Sequence, residues 1–144
     1  MTSQNYGNHR RYVPLYHFIL SMLIFLTLIG SCVNFVKSLG SHTGVYSASL
    51  LVVVNLCLLI MFVFIRVFPL KAQDRAIRAE ENLRHFVLTG KLLDSRLTVR
   101  QIIGLRFAAD DEFVELAAKA AESNMTEDQI KKAIKTWRGD YYRV

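Results

Sequence analysis

The chain has 144 residues, 52% of them apolar and 21% charged, with a formal net charge of +6. That length admits one domain, or a small membrane part joined to a small soluble part. The average hides a split that argues against a single soluble domain: residues 15–36 and 46–65 contain no Asp, Glu, Lys or Arg, while all twelve acids lie between Asp74 and Asp140.

Residues 1–14 form a short polar segment that ends in Arg10, Arg11 and Pro14. Pro14 suits the first turn of a helix, where its missing N–H costs nothing. Tyr12 and Tyr16 are placed as an interfacial aromatic belt. Each uncharged run that follows is about 20 residues, which at 1.5 Å per residue matches a hydrocarbon core of roughly 30 Å. Both are read as transmembrane helices, making residues 15–69 a membrane hairpin. A cleaved signal peptide is the rival reading of the first run. It fits poorly, because the run exceeds the roughly 7–15-residue apolar core of such peptides and no A-x-A-like site follows Cys32.

Small and polar residues gather on both spans. With a turn near Ser41, Asn34 is expected level with Ala48, Ser31 with Leu51 and Thr27 with Asn55. Gly30 and its neighbours would then permit close helix approach. Asn55 is the deepest strongly polar group. It either hydrogen-bonds Thr27 or backbone inside the hairpin, or marks a contact with another membrane helix. Cys32 and Cys57 lie at different depths, so no disulfide within the hairpin is expected, and each reads as a small buried apolar residue. His42 stands alone in the turn and reads as solvated. Arg10 and Arg11 precede the first span, and Arg66, Lys71, Arg75 and Arg78 follow the second. The positive-inside rule therefore puts both termini in the cytoplasm.

Pro69 is expected to kink or briefly break the second helix. Beyond it, Ala72, Ala76, Ala79, Leu83 and Phe86 recur at steps of four and three, a heptad-like seam that Gly90 would stop. The seam packs either on the chain's own later helices or on a second subunit. Intrahelical pairs Asp74–Arg78, Glu80–Arg84 and Glu81–His85 are expected to support the helix. Residues 70–144 are read as an all-helical cytoplasmic module with three further short helices. Thr98 and Gln101 make a capping box for a helix from Val99 to about Ala108, with Ile102, Ile103 and Phe107 on one side. Asp110, Asp111 and Glu112 place negative charge at the next helix start, whose inner face is Phe113, Leu116, Ala117, Ala120 and Ala121. Thr126 and Gln129 repeat the capping box before a helix with Ile130, Ala133, Ile134 and Trp137 inward.

The chemistry-bearing residues form no recognisable constellation. His9, His17, His42 and His85 show no ligand spacing, and no phosphate loop or nucleophile–base signature occurs. The acids Glu80, Glu81, Asp110, Asp111 and Glu112 have structural explanations, and Arg96, Arg100 and Arg106 have Asp94, Asp110 and Asp111 nearby as partners. No catalysis, metal, cofactor, small-molecule substrate or nucleic-acid partner is expected. Lys131, Lys132, Lys135 and Arg138 form a basic face that is either solvated or touches anionic lipid or a partner.

The opening QNYGNHRRYVPLYHF, the central QDRAIRAEENLRHFVLTGKLLDSRLTVRQIIGLRFAADDEF and the closing WRGDYYRV together resemble a family of short two-span bacterial membrane proteins, found mainly in Bacteroidota and of unknown function. The resemblance implies a membrane hairpin with cytoplasmic helices and brings no activity. The expected role is a small inner-membrane anchoring subunit that presents its helical module to another membrane protein or to itself. The alternative is a membrane-surface regulator whose basic C-terminal helix binds anionic lipid.

Overall fold

The computed structural model describes residues 4–141 and is all-helical among them, with two compact units: residues 11–68, and residues 4–10 together with 69–141. Helix α1 (Ser21–Ser41) follows a π-helical segment, Leu15–Leu20, that starts at Pro14. Helix α2 runs over Val45–Thr89 and belongs to both units. Three short helices follow: α3 (Val99–Leu105), α4 (Asp110–Glu122) and α5 (Glu127–Ala133).

Two helical segments, Leu15–Ser41 and Val45–Thr89, are long and apolar enough to cross a membrane. Most of their apolar side chains are exposed, including Phe25, Leu26, Ile29, Val53, Val54 and Ile60. The core helix of a soluble protein would bury such residues. The sheltered positions form one stripe on each helix. On α1 they are Ser21, Ile24, Leu28, Ser31, Phe35 and Ser38. On α2 they are Val45, Ala48, Val52, Asn55, Leu59, Phe62 and Arg66. Both stripes step by threes and fours, the spacing of a coiled-coil seam.

Tyr16 stacks on Phe62, ring centroids 4.5 Å apart, and its hydroxyl donates to the Phe62 carbonyl. His42 and Gly44 both take positive φ, 54° and 66°, where the chain turns from α1 into α2. His42 is thus the left-handed cap of α1, a structural post that its isolation in the sequence concealed.

Pro69 does not interrupt α2, contrary to the expected break. It withholds one N–H, from the Ile65 carbonyl, and the bonds on either side continue the helix past it. Gly90, at φ 73°, ends the helix as expected, its N–H bonding the Phe86 carbonyl.

The module's core gathers Ile77 of α2, Leu93 and Leu97 of the connector, and Ile102, Leu105, Phe107, Phe113, Ala120, Ile130 and Ile134. Both capping boxes form: the Thr98 and Thr126 side chains accept from the Gln101 and Gln129 N–H groups, and both glutamines reach back. Gln101 does more than its twin. Buried, its amide also donates to the Met125 carbonyl at 2.8 Å, tying α3 to the α4–α5 connection. Asn124 turns that connection at φ 46°, and the Met125 N–H bonds back to Ala120. Helices α3 and α5 cross at Gly104, where an added Cβ would lie 3.2 Å from the Glu127 carbonyl oxygen and 3.3 Å from Ile130.

Two of the expected helices are shorter than the apolar pattern suggested. α3 stops at Leu105 and α5 at Ala133, where Ile134 turns extended. The segment after α5 then pairs with the one after α3, Ala109 N–H to Thr136 carbonyl and Arg138 N–H to Phe107 carbonyl, in a single antiparallel bridge. Phe107 and Trp137 still face inward, but from the turn after α3 and the bridged segment after α5, their tilted rings 5.1 Å apart.

Candidate functional site

The part of α2 inside the module has two unlike faces. One face carries Ile77, Glu81 and Arg84 and is sheltered by the later helices. Glu81 is 4% exposed and accepts from Arg84 at 3.0 Å and Arg138 at 3.5 Å. Arg84 extends further: it pairs with Asp110 at 2.6 Å, donates to the Ala108 carbonyl, and lies 4.1 Å over the Phe113 ring. A guanidinium so placed satisfies its fork with two carboxylates and a carbonyl, which is what makes its burial tolerable. These contacts replace the expected pairs Glu80–Arg84 and Glu81–His85, because Arg84 and Glu81 point into the module and meet sequence-distant partners.

Beside this cluster lies a polar cleft of about 140 Å³, lined by Gln73, Ile77, Glu80, Glu81, Arg106, Arg138, Gly139 and Asp140. Arg106 pairs with Asp140 at 3.3 Å and stacks over Phe107 at 4.6 Å. Three acids, Glu80, Glu81 and Asp140, and two arginines, Arg106 and Arg138, are interleaved around the cleft. Among the described residues, no group of three His, Cys, Asp or Glu is placed to hold a metal ion.

The opposite face of α2 is the expected seam, and it is turned outward. Ala72, Ala76 and Ala79 are exposed, as are Leu83 at 63% and Phe86 at 50%. The seam therefore does not pack on the chain's own later helices, which use the Ile77–Glu81–Arg84 face instead. Val87 and Leu92 extend the exposed apolar surface.

The membrane-helix set divides likewise. Ser31, Ala48 and Asn55 are buried in the hairpin seam, whereas Thr27, Gly30 and Asn34 lie outside it. The Asn55 amide donates to the Leu51 carbonyl and the Thr27 hydroxyl bonds carbonyls of its own helix, so no Thr27–Asn55 bond forms. Cys32 and Cys57 are free and exposed rather than buried, since both fall off the seam.

The basic face is largely neutralised. Lys131 pairs with Glu127 at 2.6 Å, Lys132 with Asp128 at 2.7 Å and Arg138 with Glu81, leaving Lys135 exposed. Asp128 is held below the ordinary carboxylate range, chiefly by its bond from Lys132 and next by one from Tyr6. The same contacts raise Lys132. On the connector, Arg96 holds Asp94 down to about 2. Arg100 pairs with Glu127 rather than with a nearby aspartate.

Sequence reasoning missed the N-terminal strap. Residues 4–10 pack on the module, more than a hundred positions away. The Gln4 side chain and the Asp140 backbone exchange two bonds, of 3.1 and 2.8 Å. Tyr6 donates to Asp128, and His9 stacks edge-on against Phe107 and lies beside Trp137. A Cβ at Gly139 would stand 2.3 Å from the exposed Tyr141 ring, which would have to swing aside. The only signal was that the polar, aromatic N-terminal segment and the WRGDYY segment occur in one chain. Tyr142, Arg143 and Val144, named in the sequence motif, lie outside the described residues.

A family model described as a family of unknown function, DUF6526, matches residues 1–144. No curated protein and no solved structure matches the chain.

Proposed function

The chain belongs to the DUF6526 family over its whole length, and on that premise we propose that it is a two-span integral membrane protein that anchors and presents a helical interaction module. The observation that carries this reading is the outward face of α2: an apolar heptad seam left exposed on a module whose other surfaces are charged or packed. A helix that served only to build the module would turn those residues inward.

The strap supports a topology. Residues 4–10 belong to the same compact unit as the module, which supports a reading in which two spans bring the chain back to the side of the membrane from which it left. Arg10, Arg11, Arg66 and Lys71 flank the spans on that side, and the positive-inside rule makes it the cytoplasmic face of a bacterial inner membrane. The ion-paired state of Lys131, Lys132 and Arg138 weighs against lipid binding through that helix, since charges already matched attract anionic lipid weakly.

Extraction of the full-length protein from native membranes in mild detergent is expected to yield a stoichiometric complex, with itself or another protein. Leu83→Glu combined with Phe86→Glu is expected to disperse it while membrane insertion is retained. A monodisperse monomer that the double variant leaves unchanged would overturn the reading. For topology, an impermeant thiol reagent should label Thr43→Cys from outside the cell and Gln4→Cys only after lysis.

A further inference from the structure

We propose that the exposed α2 face is covered by a second copy of this chain, the two helices running parallel and in register. The inference deepens the interaction reading above and rests on it, since it names the partner.

The seam Ala72, Ala76, Ala79, Leu83 and Phe86 fixes the heptad. Its order of steps makes Ala76 and Leu83 a positions and Ala72, Ala79 and Phe86 d positions. Ile77, Glu81 and Arg84, which the module shelters, then fall at b and f, the side away from the seam. The module thus occupies the helix without obstructing the a/d face.

The positions flanking the seam say what covers it. Arg75 is g and Glu80 is e. In a parallel pair of helices, each g residue meets the e residue five positions further along its partner. Arg75 of one copy therefore faces Glu80 of the other, and by symmetry the pair occurs twice. Both residues are exposed, and neither takes part in an ion pair within the chain among the described residues. Asp94, Asp110, Glu127, Asp128 and Asp140, by contrast, each have an in-chain partner. The next g–e pair, Asn82 with Val87, carries no charge and opposes nothing.

Orientation follows from the membrane. Two copies inserted the same way present α2 in the same direction, so a parallel arrangement is the one available to them. In register, each layer meets its own kind, Ala on Ala nearest the membrane and then Leu on Leu and Phe on Phe, so the helices approach closely at one end and bury more area at the other. The seam covers fewer than about three heptads, short for a free coiled coil. Confinement to one membrane plane raises the effective concentration and compensates for that length.

The test is disulfide cross-linking of the full-length protein in native membranes, in a Cys32→Ser, Cys57→Ser background. Ala76→Cys and Ala79→Cys are expected to give cross-linked dimer on mild oxidation, because a and d layers bring like residues within disulfide reach. Arg78→Cys, at an outward c position, is expected to give almost none. In the Ala79→Cys background, Arg75→Glu or Glu80→Arg alone is expected to lower the yield about fivefold, since two pairs are lost and two repulsions made. The exchange of both, Arg75→Glu with Glu80→Arg, is expected to restore it. Equal cross-linking at positions 76, 78 and 79, or no rescue by the charge exchange, would overturn the parallel pairing. If cross-links fail while Leu83→Glu still disperses a complex with a different protein, the second-copy inference falls and the interaction reading stands. If cross-links fail and the seam substitutions disperse nothing, both fall.

Discussion

Removing the Glu81 carboxylate should destabilise the module far more than removing an exposed acid. Two cations lean on it. Arg138 is half exposed and 3.5 Å away, so its share is small. Arg84 is the larger matter: its side chain is 11% exposed and that of Glu81 5%. Breaking a buried pair by deleting one partner typically costs about 3–5 kcal/mol, because a charge is left in poor solvent. Here Arg84 keeps Asp110, the Ala108 carbonyl and the Phe113 ring, so the cost of Glu81→Ala should fall to about 2–3 kcal/mol. For a module of this size that corresponds to a loss of about 10–20 °C in the midpoint of thermal unfolding. Trp137 is the single tryptophan and packs against Phe107 inside the module, so its fluorescence reports that transition in detergent-solubilised full-length protein. Glu115→Ala, at an exposed position, serves as control. A shift for Glu81→Ala no larger than that of Glu115→Ala would refute the claim that the buried pair stabilises this face of α2.

Three further outcomes follow from the geometry. Gly104→Val should cost about 1–3 kcal/mol by the same fluorescence assay, because its Cβ meets the Glu127 carbonyl at 3.2 Å and forces α3 away from α5; a neutral result would mean the crossing is loose. Gln101→Ala should be worse than Gln129→Ala, although both break a capping box worth about 1 kcal/mol. Only Gln101 is buried and also bonds Met125, so equal effects would show that this bond is inert. Tyr6→Phe should move the Asp128 titration up toward the ordinary carboxylate value and Lys132→Met should move it further, as read by carboxyl-carbon NMR. Because the folded-state value is depressed, the strap contact contributes stability above the ordinary carboxylate range and loses it as pH falls through the lower value. No movement on either substitution would dissociate Asp128 from the strap.

What the sequence made legible was local. The caps at Thr98 and Thr126, the acidic start of α4 and the stop at Gly90 each depend on residues a few positions apart, and each formed. The two uncharged runs and the heptad-like steps of α2 were equally plain. The side of α2 that the module would cover was not plain. Periodicity finds an apolar stripe and the usual inference turns it inward. Here the inward face is Ile77 with Glu81 and Arg84, and its polar groups become tolerable only through Arg138, Asp110 and the Ala108 carbonyl, 24 to 57 positions away. The strap failed to show for the same reason. Its anchors, Gln4 to Asp140 and Tyr6 to Asp128, are hydrogen bonds between polar residues far apart in the chain, which leave no periodic trace.

That inversion is itself informative about the protein's work. Burying an ion pair rarely stabilises a fold more than apolar residues of the same size would, so Glu81 and Arg84 are a costly way to hold α2. The apolar stripe that could have served that purpose lies on the other side of the same helix, exposed. Covering side chains such as Leu83 and Phe86 is worth about 1.5–3 kcal/mol each when burial is complete. The proposed two-fold pair would cover both twice and add two Arg75–Glu80 contacts, and insertion in a shared membrane would remove much of the freedom that association otherwise costs. The arrangement is what a helix requires when one face must fix it to its own module and the other must remain available. The charged face gives directional contacts that hold its orientation, and the apolar face stays exposed, as the proposed pairing requires.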